Sequence, residues 1–233
     1  MKITVEKYTD IEALHTANSF TTGHESKMSL RKAYGLMHTP IRTQRFHVYM
    51  EDIPLFCASQ FVRSNAGVQW YQRTKRTDRG GEDFRKECDR LTYAITAPAD
   101  SIEALGFFSA SDDEQFTYEI TAATDNIRDA AEEIKHLPER FDRYAPTSLM
   151  GDMNAEAIIN MSKKRLCSKA STETREIWEQ VIAEVAKVDP DLAKFCVKPC
   201  IFSGGICREH KCCGFNKTEL FSKQLAEYKK LFV

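Results

Sequence analysis

The stretch covering residues 154–188 limits the possible folds more than any other part of the chain. Ile158, Met161, Ile177, Val181, Ile182 and Val185 recur along it at helical spacing, with a break near Ser168. The run Asp189-Pro190-Asp191 stops the pattern. Helix of this length carries an apolar stripe that has to be covered by other elements of the fold. With 233 residues, the chain has room for one substantial domain, or one domain with a small appendage.

The remaining segments supply the cover. Residues 3–5 alternate like a strand, and a polar stretch follows to about Lys27. Residues 28–37 have helical spacing, closed by His38-Thr39-Pro40, because the residue before proline avoids the helical region. Residues 45–51 alternate as a strand, and residues 53–62 read as a helix with Pro54 in its first turn. Residues 73–90 are highly charged and hold Gly80-Gly81, which suits a surface loop. Residues 101–105 and 112–137 read as helical, and residues 218–232 as a last amphipathic helix. Helices predominate over few strands, so the expected class is α+β.

Charge narrows the partners. The formal net charge of −1 gives no overall reason to expect nucleic acid or membrane binding, so any anion site must come from local arginines and lysines. Lys75-Arg76 with Trp70 and Tyr71 looks like a basic-aromatic patch, yet Asp78, Glu82 and Asp83 interrupt any phosphate track. The opening residues lack an apolar core of signal-peptide length, and no later run reaches membrane-spanning length. A cytoplasmic location is expected, where the eight cysteines serve as free thiols or metal ligands rather than disulfides.

Two segments carry the functional reading. The later is NAEAIINMSKKRLCSKASTETR, residues 154–175. Asn154 and Arg165 are eleven residues apart, close to three helical turns, so a continuous helix puts them on one face with Ile158 and Met161 between them. An arginine on such a mixed wall can fork onto a phosphate or a uracil-like carbonyl edge. The plain alternative is a solvated helix face, which is the reading for Lys163 and Lys164. The segment resembles the flavin-dependent thymidylate synthase helix, in which Asn-Ala-Arg is followed by an Asn, then Leu-Arg, then Ala-Gln-x-Glu-Ile. Asn154-Ala155, Asn160, Arg165, Ala170 and Glu173 fall at the matching places without a gap. Glu156, Lys169 and Ser171 stand where the family has arginine, histidine and glutamine.

The earlier segment is IPLFCASQFVRSNAGVQWYQRTKR, residues 53–76. It is similar to the family's signature, a helix ending Gln-x-x-Arg-His-Arg followed by Ser-x-Arg. Gln60 and Arg63 match and Lys75 keeps the final positive charge, while Ser64, Asn65 and Arg73 replace His, Arg and Ser, and Tyr71 replaces a Glu. His38-Thr39-Pro40-Ile41 resembles the entry to the family's first core strand. Arg143 before Pro146 resembles a phosphate-binding Arg-x-x-x-Pro element, with the spacing off by one and Arg140 nearly as good. The resemblance spans roughly residues 28–186.

What the resemblance implies is specific. The fold would be helices around a small, mainly antiparallel sheet. The reaction would be flavin-dependent transfer of a one-carbon unit from methylenetetrahydrofolate to C5 of a pyrimidine deoxynucleotide, first dUMP to dTMP, with FAD as cofactor and NADPH as its reductant. Arg165 would polarise the base as the catalytic residue, and Gln60, Tyr71, Arg73, Lys75 and Arg143 would join it around the nucleotide. Arg63, Ser64, Asn65, Asn154, Asn160 and Lys169 would lie toward FAD. Family sites sit between subunits of a homotetramer. The altered signature leaves open dCMP or another pyrimidine nucleotide, a hydroxymethyl product, or a non-catalytic zinc-stabilised nucleotide-binding module.

One feature falls outside the resemblance. Cys196, Cys200, Cys207, Cys212 and Cys213, with His210 among them, lie within eighteen residues. Four thiolates can hold a structural Zn²⁺, and Cys196, Cys200, Cys207 and Cys212 are the candidate ligands, although paired C-x2-C knuckles are lacking. The alternatives are reduced, packed or surface cysteines without metal, and an iron–sulfur centre or redox pair. Cys57 and Cys167 read as packing residues, and Cys88 is a further free thiol. The expected organisation is a synthase-like domain over residues 1–195 and a Cys-rich segment with a C-terminal helix over residues 196–233.

Overall fold

A computed structural model describes residues 1–73 and 145–232, and between them only residues 93, 125, 127–129 and 132. The chain divides into two compact units, Met1–Arg73 with Thr147–Val233, and Thr74–Pro146. The first unit is described below. Of the expected helix at 112–137 the described residues are 125, 127–129 and 132, which are helical, while the expected helix at 101–105 and the charged stretch at 73–90 beyond Arg73 lie outside the described residues.

Strand β1 (Lys2–Lys7) leads into helix α1 (Ile11–Thr22) and helix α2 (Leu30–Leu36), followed by a short 3-10 turn at Thr39–Thr43. Strand β2 (Arg45–Pro54), helix α3 (Leu55–Val62) and strand β3 (Val68–Gln72) follow. After the second unit come strand β4 (Pro146–Asn154), helix α4 (Ala155–Arg165) and helix α5 (Thr172–Val188). The chain ends with α6 (Pro190–Phe195), α7 (Pro199–Phe202) and α8 (Glu219–Lys229). Among the described residues the strands form one sheet in the order β1-β2-β4-β3, with β1 antiparallel to β2 and β3 antiparallel to β4. This is the expected α+β class.

Alternation decides which side of the sheet is covered. Phe46, Val48 and Met50 on β2, and Leu149 and Met153 on β4, point into the core, where Phe61 of α3, Ile158 of α4 and Trp178 of α5 meet them. The break expected near Ser168 separates α4 from α5, and Ser171 caps α5 by accepting from the Thr174 N–H. Asp189 ends α5 and at once caps α6, accepting from Leu192 N–H at 2.9 Å, so Pro190 begins a helix as well as stopping one.

Three features differ from the sequence reading. The polar stretch before Lys27 contains α1. It buries only Leu14 and Asn18 and so shows little apolar periodicity; it is held instead by an Asp10 N-cap and a left-handed Gly23. Strands β3 and β4 were not expected. Pro54 remains in β2, and α3 starts one residue later.

Residues 196–232 pack on the same core as the synthase-like region, through Cys196, Cys200, Ile201, Phe221 and Tyr228. Burial pushes the Cys196 thiol up to about 12 and the Tyr228 phenol to about 12, and lifts Tyr34 further with help from Asp189. All three favour the protonated form in the folded state. Their stabilisation is present below the unfolded values of 9.0 and 10.0 and is lost as pH rises above them. The melting temperature is therefore expected to fall steeply above about pH 9, with a shallower fall in C196A. A flat profile to about pH 10.5 would contradict this account.

Candidate active site

The site begins at the C-terminal end of α3. Cys57, Ala58 and Phe61 anchor that helix in the core, which leaves Gln60 half-buried on its flank. Arg63 ends the helix and is exposed. The chain then turns through Ser64 and Asn65 into β3, with the Trp70 indole N–H donating to the Ser64 carbonyl at 2.8 Å. Gly67 in this turn has φ +75, and a Cβ there would lie 2.6 Å from the Asn154 amide nitrogen, so both backbone and space require glycine.

Helix α4 brings the second half. Asn154 is its N-cap, buried, with Oδ1 accepting the Ala157 N–H at 2.8 Å. Asn154 and Arg165 therefore do not share a helical face as the spacing suggested, because the Asn154 side chain turns back to close the first turn. Ile158 and Met161, expected on that wall, are core residues. Asn160 is exposed and accepts from Lys163 Nζ at 2.9 Å. The Lys163 ammonium also lies 3.5 Å from the centre of the Phe202 ring.

Arg165, the last residue of α4, crosses to α3. One guanidinium nitrogen donates to the Gln60 backbone carbonyl and another to Gln60 Oε1 at 3.5 Å, joining residues 105 apart in sequence. The guanidinium carbon sits 5.7 Å from the Phe61 ring centre, and Nε is buried without a partner. Burial, then the neighbouring Arg63, lowers the Arg165 pKa from its ordinary value. Among the described residues neither arginine has a carboxylate partner, so the place favours an anion or a polarised carbonyl oxygen.

Sequence reasoning missed two residues here. Thr174, fully buried at the start of α5, donates to Gln60 Oε1 at 3.3 Å and accepts from the Ser171 hydroxyl at 2.7 Å. Its available signals were its place three residues after a serine cap and its departure from the isoleucine of the family pattern. Arg42, just past the His38-Thr39-Pro40-Ile41 match, pairs with Glu156. The anion that stands in place of a family arginine thus has a cation beside it, delivered from the 3-10 turn.

The other candidates scatter more widely. Tyr71 and Arg73 are exposed at the end of β3, where the Arg73 N–H donates to the Ser148 carbonyl at 2.9 Å. Lys169 is exposed between α4 and α5. Lys75 and Arg143, with Arg140, lie outside the described residues. The four cysteines expected as a zinc set are spread between core and surface. Cys196 is buried against Ser162, and Cys200 is buried in α7. Cys207 is half-buried, and the exposed Cys212 donates to Asn216 Oδ1 at 3.3 Å. Among the described residues no three His, Cys, Asp or Glu side chains converge as a metal site.

Together these elements define an α+β protein whose candidate site is the Arg165–Gln60 contact between the ends of α3 and α4. Residues 4–191 match the family described as thymidylate synthase complementing protein. A flavin-dependent thymidylate synthase from Clostridium tetani is 24% identical over 188 residues, covering 78% of this chain and 73% of that protein. Another from Sulfolobus acidocaldarius is 35% identical over 81 residues, 33% of this chain and 31% of its own length. The crystal structure of flavin-dependent thymidylate synthase ThyX from Helicobacter pylori, complexed with FAD and dUMP, superposes with a TM-score of 0.50 at 12% identity. It covers 85% of this chain and 100% of that one, and shares the fold. The chain belongs to the thymidylate synthase complementing family and is an enzyme of the flavin-dependent thymidylate synthase type. Among the described residues no helix is long and apolar enough to cross a membrane.

Proposed function

We propose that this enzyme transfers a one-carbon unit from methylenetetrahydrofolate to C5 of a pyrimidine deoxynucleotide, with dUMP as the first substrate and dTMP as product. It would work with FAD and NADPH as a cytoplasmic homotetramer. The observation that carries the reading is the Arg165–Gln60 contact. Two segments that match separate family motifs meet where the Arg165 guanidinium donates to Gln60, with no carboxylate paired to Arg165 among the described residues.

The residues present suit both ligands. The unpartnered buried Nε of Arg165 marks a guanidinium with unused donor capacity, and Arg63 adds positive charge next to it. Arg42 pairs with Glu156 and offsets its negative charge near the start of α4, where the flavin phosphates are proposed. FAD, when reduced, supplies the hydride. The chain's own part is to bind and orient the nucleotide, with Arg165 stabilising the negative charge that develops on the base oxygen as C5 becomes nucleophilic. Arg63, Ser64, Asn65, Asn154, Asn160 and Lys169 are proposed on the flavin side, and Tyr71, Arg73, Lys75 and Arg143 with Gln60 on the nucleotide side.

The test is an absorbance spectrum of the purified protein before and after denaturation, followed by turnover assays with dUMP and dCMP. Released FAD in near-equal amount to chains, with thymidylate formed from dUMP, is the expected outcome. FAD with turnover of dCMP alone would replace the substrate. A colourless protein that does not bind added FAD would overturn the reading.

A further inference from the structure

We infer that Thr174 is a positioning residue that fixes the Gln60 amide, and so makes the site a donor that selects a ring carbonyl over an exocyclic amine. This rests on the function proposed above and extends it to the choice between uracil and cytosine nucleotides.

The orientation of Gln60 follows from its neighbours. The Arg165 guanidinium can only donate, so the Gln60 atom facing it must be Oε1. Thr174 contributes to the same atom from the other side. Its hydroxyl accepts the Ser171 proton at 2.7 Å, so its own proton is directed onward to Gln60 Oε1 at 3.3 Å, with Cys57 Sγ at 3.4 Å as a weaker second acceptor. Turning the amide over would set NH₂ against both a guanidinium and a hydroxyl proton. The Arg165 contact is long at 3.5 Å, so the buried threonine is the stronger restraint. Among the described residues Gln60 Nε2 has no hydrogen-bond partner within the chain, and it remains as a donor for a ligand.

A donor discriminates at position 4 of a pyrimidine. Uracil carries a carbonyl there, which accepts. Cytosine carries an amine, which would meet Nε2 proton to proton and leave both groups unsatisfied. The resemblance does not supply this point, since the family pattern Ala-Gln-x-Glu-Ile carries isoleucine where this chain has Thr174. Selection of the base here depends on a side chain buried one layer behind the site.

The experiment compares wild type with T174V and T174S as full chains, measuring kcat/KM for dUMP and dCMP together with bound FAD and melting temperature. In T174V the amide is released, and the dUMP-to-dCMP ratio is expected to fall about tenfold. FAD content should stay near wild type, and T174S should restore the ratio. Ser171→Ala, which removes the donor behind Thr174, should shift the ratio the same way by about threefold. It gives the answer if T174V does not fold. An unchanged ratio in folded T174V, or in S171A where T174V is insoluble, would overturn the inference while leaving the proposed reaction standing. A wild-type protein that binds neither FAD nor nucleotide would overturn both, and turnover of dCMP alone would overturn the inference together with dUMP as the substrate.

Discussion

Replacing Asp189 by alanine is expected to lower the unfolding free energy by about 3–5 kcal/mol. Its carboxylate is 3% exposed and ties three elements together. It accepts from Lys7 Nζ on β1 at 2.7 Å, from the Tyr34 hydroxyl on α2 at 2.7 Å, and from Leu192 N–H at the start of α6 at 2.9 Å. Alanine would leave a Lys7 ammonium whose side chain is only 15% exposed without its anion, and a buried phenol without its acceptor. The lost cap adds about 1 kcal/mol, already within that range. Asparagine at this position has a single acceptor oxygen, which can serve the Leu192 N–H or the Tyr34 hydroxyl but not both, so D189N should recover only part of the loss. The double variant K7M/D189L replaces the ion pair with apolar groups and should recover much of the loss, which separates an orphaned charge from lost packing. Urea unfolding measures all three. A D189A cost below about 1 kcal/mol would mean that the Lys7 side chain simply moves to water.

The same residue shows how far the sequence could be read. Asp189-Pro190-Asp191 was legible as a stop, because proline geometry is local. Its bonds to Lys7 and Tyr34 were not, since they span 182 and 155 positions that no periodicity connects. The apolar stripe of α5 was legible for the opposite reason. Ile177, Val181 and Val185 are buried in the core at the spacing that announced them. Strand β4 carried a signal that went unread: Thr147, Leu149 and Met153 alternate with half-buried Ser148, Met150 and Asp152, but Pro146 and Gly151 interrupt the pattern. At the site, Gln60 and Arg165 were singled out by resemblance, and their contact is a product of the fold. Asn154 was misplaced on a helical face because spacing alone cannot tell a cap from a first helical residue. Arg42 and Thr174 needed the structure, since Arg42 lies outside the motifs and Thr174 replaces the isoleucine of one. The pairing of Arg42 with Glu156 bridges 114 residues.

Replacing Arg165 by alanine is expected to lower kcat/KM for the pyrimidine nucleotide by about 10²–10³-fold, the usual cost of removing one fixed donor from a developing oxyanion. The mechanism makes a further demand on where the loss falls. If Arg165 binds the base mainly as charge develops on its oxygen, kcat should carry most of the loss and KM should change little. Lysine at this position should recover only a small part, because an ammonium cannot hold the Gln60 carbonyl, reach Gln60 Oε1 and present a flat donor edge at once. Stability offers an independent check. Arg165 covers the Gln60 backbone carbonyl near the end of α3, so R165A should also cost about 1–2 kcal/mol of unfolding free energy. A structural role alone would give that stability loss with turnover per folded molecule nearly intact. That pattern would move the chemistry away from Arg165, toward the arginine beside it at position 63. Loss of turnover with FAD still bound and kcat reduced would place the developing charge against the α4 guanidinium, the one group here that is half-buried, fixed by Gln60 and still has a buried N–H without a partner.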